Sequence, residues 1–207
     1  MNDIFYKLAK KLRPDLESLS GQQRMSATAD VLTLLYTLPM MVIGLVWLIR
    51  LTSWESIREQ WSLYLVLGVI LYIFNRLRFF FITEIRTGGY ANSDGAMDGI
   101  AVWAAVLLLG PTALWLKVMW NTVILYASLR RQKTTQGWWS RGRMYAADVS
   151  SDVLATLVAL TVYRWMGGVI PITGYSISSI APALVAVFVQ YLGMFLIYSG
   201  YIIYIVW

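Results

Sequence analysis

The chain has 207 residues, 58% of them hydrophobic, with a formal net charge of +6 and a mean hydropathy of +0.61. That composition argues against a soluble domain, because apolar runs of about 18 residues or more with few charges mark membrane helices. There is no Cys and no His, which excludes disulfides, thiolate catalysis, the usual zinc sites, imidazole-ligated haem and any His-based relay or triad.

Carboxylates, amides, hydroxyls, Lys, Arg and Tyr are left for chemistry, and neither a metal site nor a cofactor is expected. Membrane proteins collect Lys and Arg on the cytoplasmic side, so the basic excess reads as topology and not as nucleic-acid binding. No cleavable signal peptide opens the chain. Residues 1–30 are polar and basic without an apolar core, so the first membrane helix is expected to direct insertion.

In chain order, "NDIFYKLAKKLR" places Ile4, Phe5, Leu8 and Leu12 on one helical face with Lys7, Lys10, Lys11 and Arg13 around them. That pattern fits a helix lying in the membrane interface, or a short solvated helix. Pro14 ends it, and "ESLSGQQRMSATAD" reads as a polar linker. The first span covers about 31–50, with Pro39 inside it as a bend that neighbouring helices must compensate. The second covers about 61–81, and Trp47, Trp54, Trp61 and Tyr64 around the connection suit an interfacial aromatic belt.

A charged, Gly-containing loop follows, and the third span covers about 95–109. Gly110 and Pro111 then interrupt the apolar run "AVWAAVLLLGPTALWLKVMW" before a fourth span at about 112–129. A basic loop, "RRQKTTQGWWSRGR", precedes a fifth span at about 149–166. A turn-rich connection leads to the sixth, about 179–206, with Ser178 or Ser179 as cap and Pro182 in the first turn. The expectation is an all-α polytopic domain over 31–207, preceded by an N-terminal segment over 1–30.

The distribution of basic residues decides between one crossing and two at the Gly-Pro pair. With a turn there, five basic residues precede span one, Arg76, Arg78 and Arg86 lie between spans two and three, and five more lie between four and five. Thirteen then share one face, against Arg50, Arg58, Lys117 and Arg164 on the other. A single crossing over 95–129 would divide them eight to nine. Six spans with both termini cytoplasmic follow, and Gly110–Pro111 becomes an extracytoplasmic hairpin turn. The third span is then only about 22 Å long, short of a hydrocarbon layer of roughly 30 Å. Short, Gly/Pro-interrupted segments point to binding sites, although purely structural bundles contain them too.

Two carboxylate pairs repeat one spacing: Asp94 and Asp98 at the start of span three, Asp148 and Asp152 at the start of span five. Helix N-termini stabilise carboxylates, so capping competes with a cytoplasmic polar cluster that includes Arg76 and Arg78. Lys117 lies inside span four, where an ionisable residue is a functional candidate unless its stem snorkels outward. With Asn121 one turn on and Trp120 beside it, Lys117 outlines an outward-facing site for an anionic or polar ligand. In "GWWSRGR", headgroup contact competes with docking of a partner protein. No phosphate loop, HExxH or nucleophile elbow is present, so an enzyme is not expected.

The stretch "GGYANSDGAMDGIAVWAAVLLLGPTALWLKVMW", the basic loop and "YAADVSSDVLATLVALTVYRWMGG" together cover roughly residues 80–170. They resemble the membrane-embedded N-terminal sensory domains of bacterial HD-GYP and GGDEF signalling proteins. The Gly-Pro hairpin also resembles the substrate-binding subunits of energy-coupling-factor vitamin transporters, without a substrate motif that could be carried over. The first resemblance implies a non-enzymatic sensory or input domain in the bacterial inner membrane, with the lipid bilayer and other membrane or cytosolic protein subunits as partners. An accessory subunit of a larger membrane complex and a small-molecule-binding transporter component are the alternatives. The chain stops within an apolar helix, "YIIYIVW", where truncation or packing in a larger complex is the expectation.

Overall fold

A computed structural model describes residues 3–85, 89–96, 98–130, 135–172 and 177–206. The chain is predominantly helical. Among the described residues, three helices are long and apolar enough to cross a membrane: Gln23–Leu51, Gly137–Trp165 and Ile180–Gly200.

Helix α1, Asp3–Leu12, is followed by a short 3-10 turn, Pro14–Glu17. Helix α2, Gly21–Leu51, starts ten residues before the expected span. The supposed linker is helical because it has something to pack on: Ala27 and Val31 are fully buried with Ala9 and Leu16, and Trp139 closes the cluster. The Arg24 guanidinium folds back onto the Leu19 carbonyl at 2.7 Å, satisfying an acceptor just before the helix. Leu8 and Leu12 stay on the exposed side of α1.

Helix α3, Trp54–Glu59, turns the chain into α4, Trp61–Arg76. The expected second span ends early because the chain turns extended at Arg78. Strands β1, Arg78–Ile85, and β2, Gly89–Ala96, form an antiparallel ribbon in which Phe80 faces Asp94. The run "RFFFITEI" is aromatic and β-branched, a composition that favours extended backbone. Helix α5, Asp98–Leu109, is thus shorter than expected at 12 residues. A 3-10 turn, Pro111–Ala113, joins it to α6, Leu114–Leu129.

Helix α7, Thr135–Val149, continues through a π-helical segment, Ser150–Ala155, into α8, Thr156–Trp165. The basic loop expected before span five is therefore largely the first turns of a long rod, with residues 131–134 outside the described residues. Its alanines pack: Ala146 and Ala147 are buried with Val149, while Trp138 remains exposed. The last helix, α9, covers Ile177–Val206, with Pro182 in its second turn and not its first. The side chains of Ser178 and Ser179 lie outside the described residues.

The rod α7–α8 is the axis of the molecule. Of its apolar window 61% is buried, against 28% and 22% for the windows of α2 and α9. It runs parallel to α2, as Arg143 reaches Asp30 at 2.8 Å and the Ser150 hydroxyl donates to the Thr37 carbonyl at 2.9 Å. The second contact adds a donor beside Pro39, although the carbonyl that Pro39 leaves without its helical N–H is that of Leu35, four residues before it. Helix α9 returns antiparallel to the rod. Small residues let the three helices touch at the π segment: a Cβ at Gly44 would lie 3.1 Å from Leu154, and one at Gly193 would lie 3.0 Å from Ala155.

Leu67, Leu71, Val106, Leu114, Leu157 and Tyr163 are among the buried residues of the main core, which the α5–α6 hairpin shares with α4 and the rod. Outward faces remain apolar: Ile43, Val46 and Ile49 on α2, and Phe188, Phe195 and Leu196 on α9, are all exposed. Soluble proteins rarely show contiguous apolar faces of this kind, whereas lipid accepts them.

Candidate functional site

The Gly-Pro turn is a buried structural corner. Gly110 has φ +75° and ψ −167°, a region open to glycine and strained for any residue with a Cβ. Pro111 takes the first position of the 3-10 turn, where its missing N–H leaves nothing unpaired. Pro111, Thr112 and Ala113 are buried. Other loops cover them: the Ser53 N–H donates to Thr112 Oγ1 at 3.2 Å, and the Ile172 N–H donates to the Leu107 carbonyl at 3.1 Å. The Trp115 indole N–H donates to Thr52 Oγ1 at 2.7 Å. Irregular backbone flanked by apolar helices is thus enclosed in protein, as lipid requires.

Polar chemistry collects along the inner side of the α5–α6 hairpin, from the first turn of α6 to the start of α5. Lys117, on the inner face of α6, is buried and forms an ion pair with Asp98 at the start of α5. Its ammonium also lies 3.8 Å from Asp152 Oδ2. The stem does not snorkel outward, because two carboxylates across the interior hold its tip. Asn121, one turn further on, donates from Nδ2 to Asp152 Oδ2 at 2.8 Å. Asn75, near the end of α4, donates to Asp98 Oδ2 at 3.1 Å. Asp148 accepts the Tyr198 hydroxyl from α9 at 2.6 Å, and the same hydroxyl accepts from Ser151 at 3.3 Å.

These groups line a cavity of about 520 Å³ bounded by α5, α6, the rod and α9. A second layer of hydrogen bonds adjoins it. Gln190 of α9 donates to Thr156 Oγ1 at 2.8 Å and accepts from the Trp103 indole. Val102, Ile124 and Met194 supply apolar wall. The cavity is in the size range of small-molecule sites and has their mixture of apolar surface and few oriented polar groups.

The structure brings Asp98, Lys117, Asn121, Asp148 and Asp152 together and leaves other candidates elsewhere. Asp148 and Asp152 are not at a helix start: α7 begins thirteen residues before Asp148, so N-terminal capping does not account for either. Trp120 lies on another side of α6, edge-on to Tyr72 at 5.5 Å, and its indole N–H has no acceptor among the described residues. Arg76 sits over the Tyr72 ring at 5.3 Å and not among the carboxylates. Arg78 and Asp94 belong to the β-ribbon, and their side chains lie outside the described residues. Among the described side chains, the carboxylates Asp98 and Asp152 gather around Lys117 and not around Arg76. The cluster joins Lys117, in the first turn of α6, to Asp98 at the far end of α5.

Asn75, Gln190 and Tyr198 were not legible as site residues. A lone amide in the apolar run "ALVAVFVQYLGMF" was a usable signal for Gln190, since polar groups in such helices seek partners. Nothing local distinguishes Tyr198 from the other tyrosines of α9. Among the described residues, no group of three carboxylates is placed to hold a metal ion. No family model matches the chain, and neither a curated protein nor a solved structure matches it significantly.

Proposed function

We propose that the protein is a non-enzymatic sensory or input domain of a bacterial inner membrane, crossing it six times with both ends cytoplasmic, and that the polar cavity is its ligand site. The observation that carries this reading is the buried ion network of Lys117, Asp98 and Asp152 around open space. Charged side chains inside a membrane bundle are costly and mark function by default.

The input role is supported by the rod. Its π segment contributes Asp152 to the cavity, while α7 extends away from the site toward the basic end. π turns are poorly packed alternatives to the α-helix and recur at functional sites. A ligand that favours one of two registers there would shift α7 as a unit. The likeness of residues 80–170 to signalling input domains and the thirteen-to-four division of basic residues agree with this reading.

The test is purification from native membranes into lipid nanodiscs, followed by mass spectrometry of what is retained. A stoichiometric small molecule whose removal changes hydrogen exchange in α7 supports the proposal. A membrane protein retained at fixed stoichiometry, with no small molecule, replaces it with the accessory-subunit reading. Passage of the retained molecule across proteoliposomes replaces it with the transporter reading.

A further inference from the structure

The contents of the cavity wall do not balance in charge. Three carboxylates, Asp98, Asp148 and Asp152, face it with one ammonium, that of Lys117. Lys117 is committed to Asp98, with Asp152 as its second carboxylate. Asp148 has the Tyr198 hydroxyl and no ion pair among the described residues. Asp152 has the Asn121 amide and a shared, longer approach to Lys117. Ionised carboxylates withdrawn from water are stabilised by a paired cation, and among the described residues the cavity lining supplies one for three.

The geometry selects among ligands. An anion is disfavoured, because Lys117, the one cation lining the cavity among the described residues, is occupied, while Arg143 is paired with Asp30 and Arg141 lines the neighbouring pocket. A bare metal ion is disfavoured, because the carboxylates do not converge on one point. What remains is a cation with distributed volume and an apolar part to meet Val102, Ile124 and Met194. We propose that the cavity takes a small aliphatic organic cation, an amine or diamine, with an ammonium held between Asp148 and Asp152 and its carbon chain against this apolar wall. The proposal rests on the ligand-binding reading given above and adds the chemical class.

The test uses the whole protein in nanodiscs, with putrescine, butylamine, butanol and butyrate as probes and sodium chloride, matched to the ionic strength of the amine salts, as control. Calorimetry and thermal unfolding are the readouts. Putrescine and butylamine are expected to bind and raise the melting temperature, while butanol, butyrate and sodium do not. Asp148→Asn keeps an acceptor for Tyr198 and removes the charge, so amine affinity should fall about tenfold or more. Its unliganded melting temperature should stay within a few degrees of wild type. If that variant does not fold, the comparison of probes on the wild-type protein decides the question.

Binding of butanol or butyrate as tightly as the amines overturns the cation assignment and leaves the ligand-site reading intact. Stabilisation by sodium alone, equal to that by amines, overturns it in favour of an inorganic ion. Binding by none of the probes, while a non-cationic molecule is retained from native membranes, also overturns only this inference. Binding by none, with nothing retained, overturns both.

Discussion

Lys117 shows how one residue's surroundings decide its meaning. Its side chain is 11% exposed and that of Asp98 14%, so neither end of the pair is bathed in bulk water. Removing one partner leaves the other buried without compensation, which costs more than the pair itself contributes. Lys117→Met is therefore expected to destabilise the protein by about 3 kcal/mol. The double variant Lys117→Met with Asp98→Asn should recover at least half of that loss. Reversible unfolding in detergent, compared across the two single variants and the double, measures it. A single variant as stable as wild type would show that the pair is not buried as described. In the sequence Lys117 stood out as a charge in an apolar run, but a lysine stem is long enough to reach either an interior partner or the interface. Only the position of Asp98, nineteen residues away in sequence, separates those outcomes.

At the scale of elements, the α5–α6 hairpin depends on one backbone conformation. Gly110 must hold φ +75° with ψ −167° so that α5 can stop and Pro111 can start the next turn. A Cβ there would have room, lying 3.6 Å from Ile170, so the penalty of Gly110→Ala is conformational and not steric. It should amount to about 1–3 kcal/mol, the range for residues forced into such regions. Thermal unfolding of Gly110→Ala checks this, and an unchanged midpoint would contradict it. The hairpin was legible because Gly and Pro punctuate an apolar run, and because only a turn there divides the basic residues unevenly. The β-ribbon and the long rod were not. "RFFFITEI" reads equally well as the end of an apolar helix, since aromatic residues serve both. The polar turns of α7 and the start of α2 carry no apolar period of their own. They are helical because each finds a neighbour: Ala27 and Val31 lie against the N-terminal segment, and Ala146 and Val149 lie within the bundle.

For the whole molecule the testable property is topology. The chain has no Cys, so single-cysteine variants report one site each without a background to remove. Cysteines at Ser18 and Lys133 should be shielded from an impermeant thiol reagent in intact cells, and one at Glu55 should react. Labelling at Lys133 together with Glu55 would replace the six-span arrangement. The helices alternate in direction in a way that suits it. Asp98 pairs across the α5–α6 hairpin, the rod runs beside α2, and α9 returns so that Tyr198 meets Asp148. Of the helices within the expected spans, α5 is about 18 Å long and α4 and α6 about 24 Å at 1.5 Å per residue. They are tolerable in a membrane if protein and the cavity, not hydrocarbon, cover what they fail to span.

The sequence by itself determined the class of molecule, because hydropathy and the absence of Cys and His act residue by residue and need no fold. It also located the break at Gly110–Pro111 and singled out most of the ionisable residues of the cavity, since a charge in an apolar run is conspicuous wherever the run goes. The tertiary structure alone decided which of those charges meet. Asp98, Lys117 and Asp152 lie on three different elements, and their pairing depends on how the helices are aligned along their axes. That alignment is set by small-residue contacts and a π turn, features whose consequences are distant in sequence and therefore invisible to local pattern.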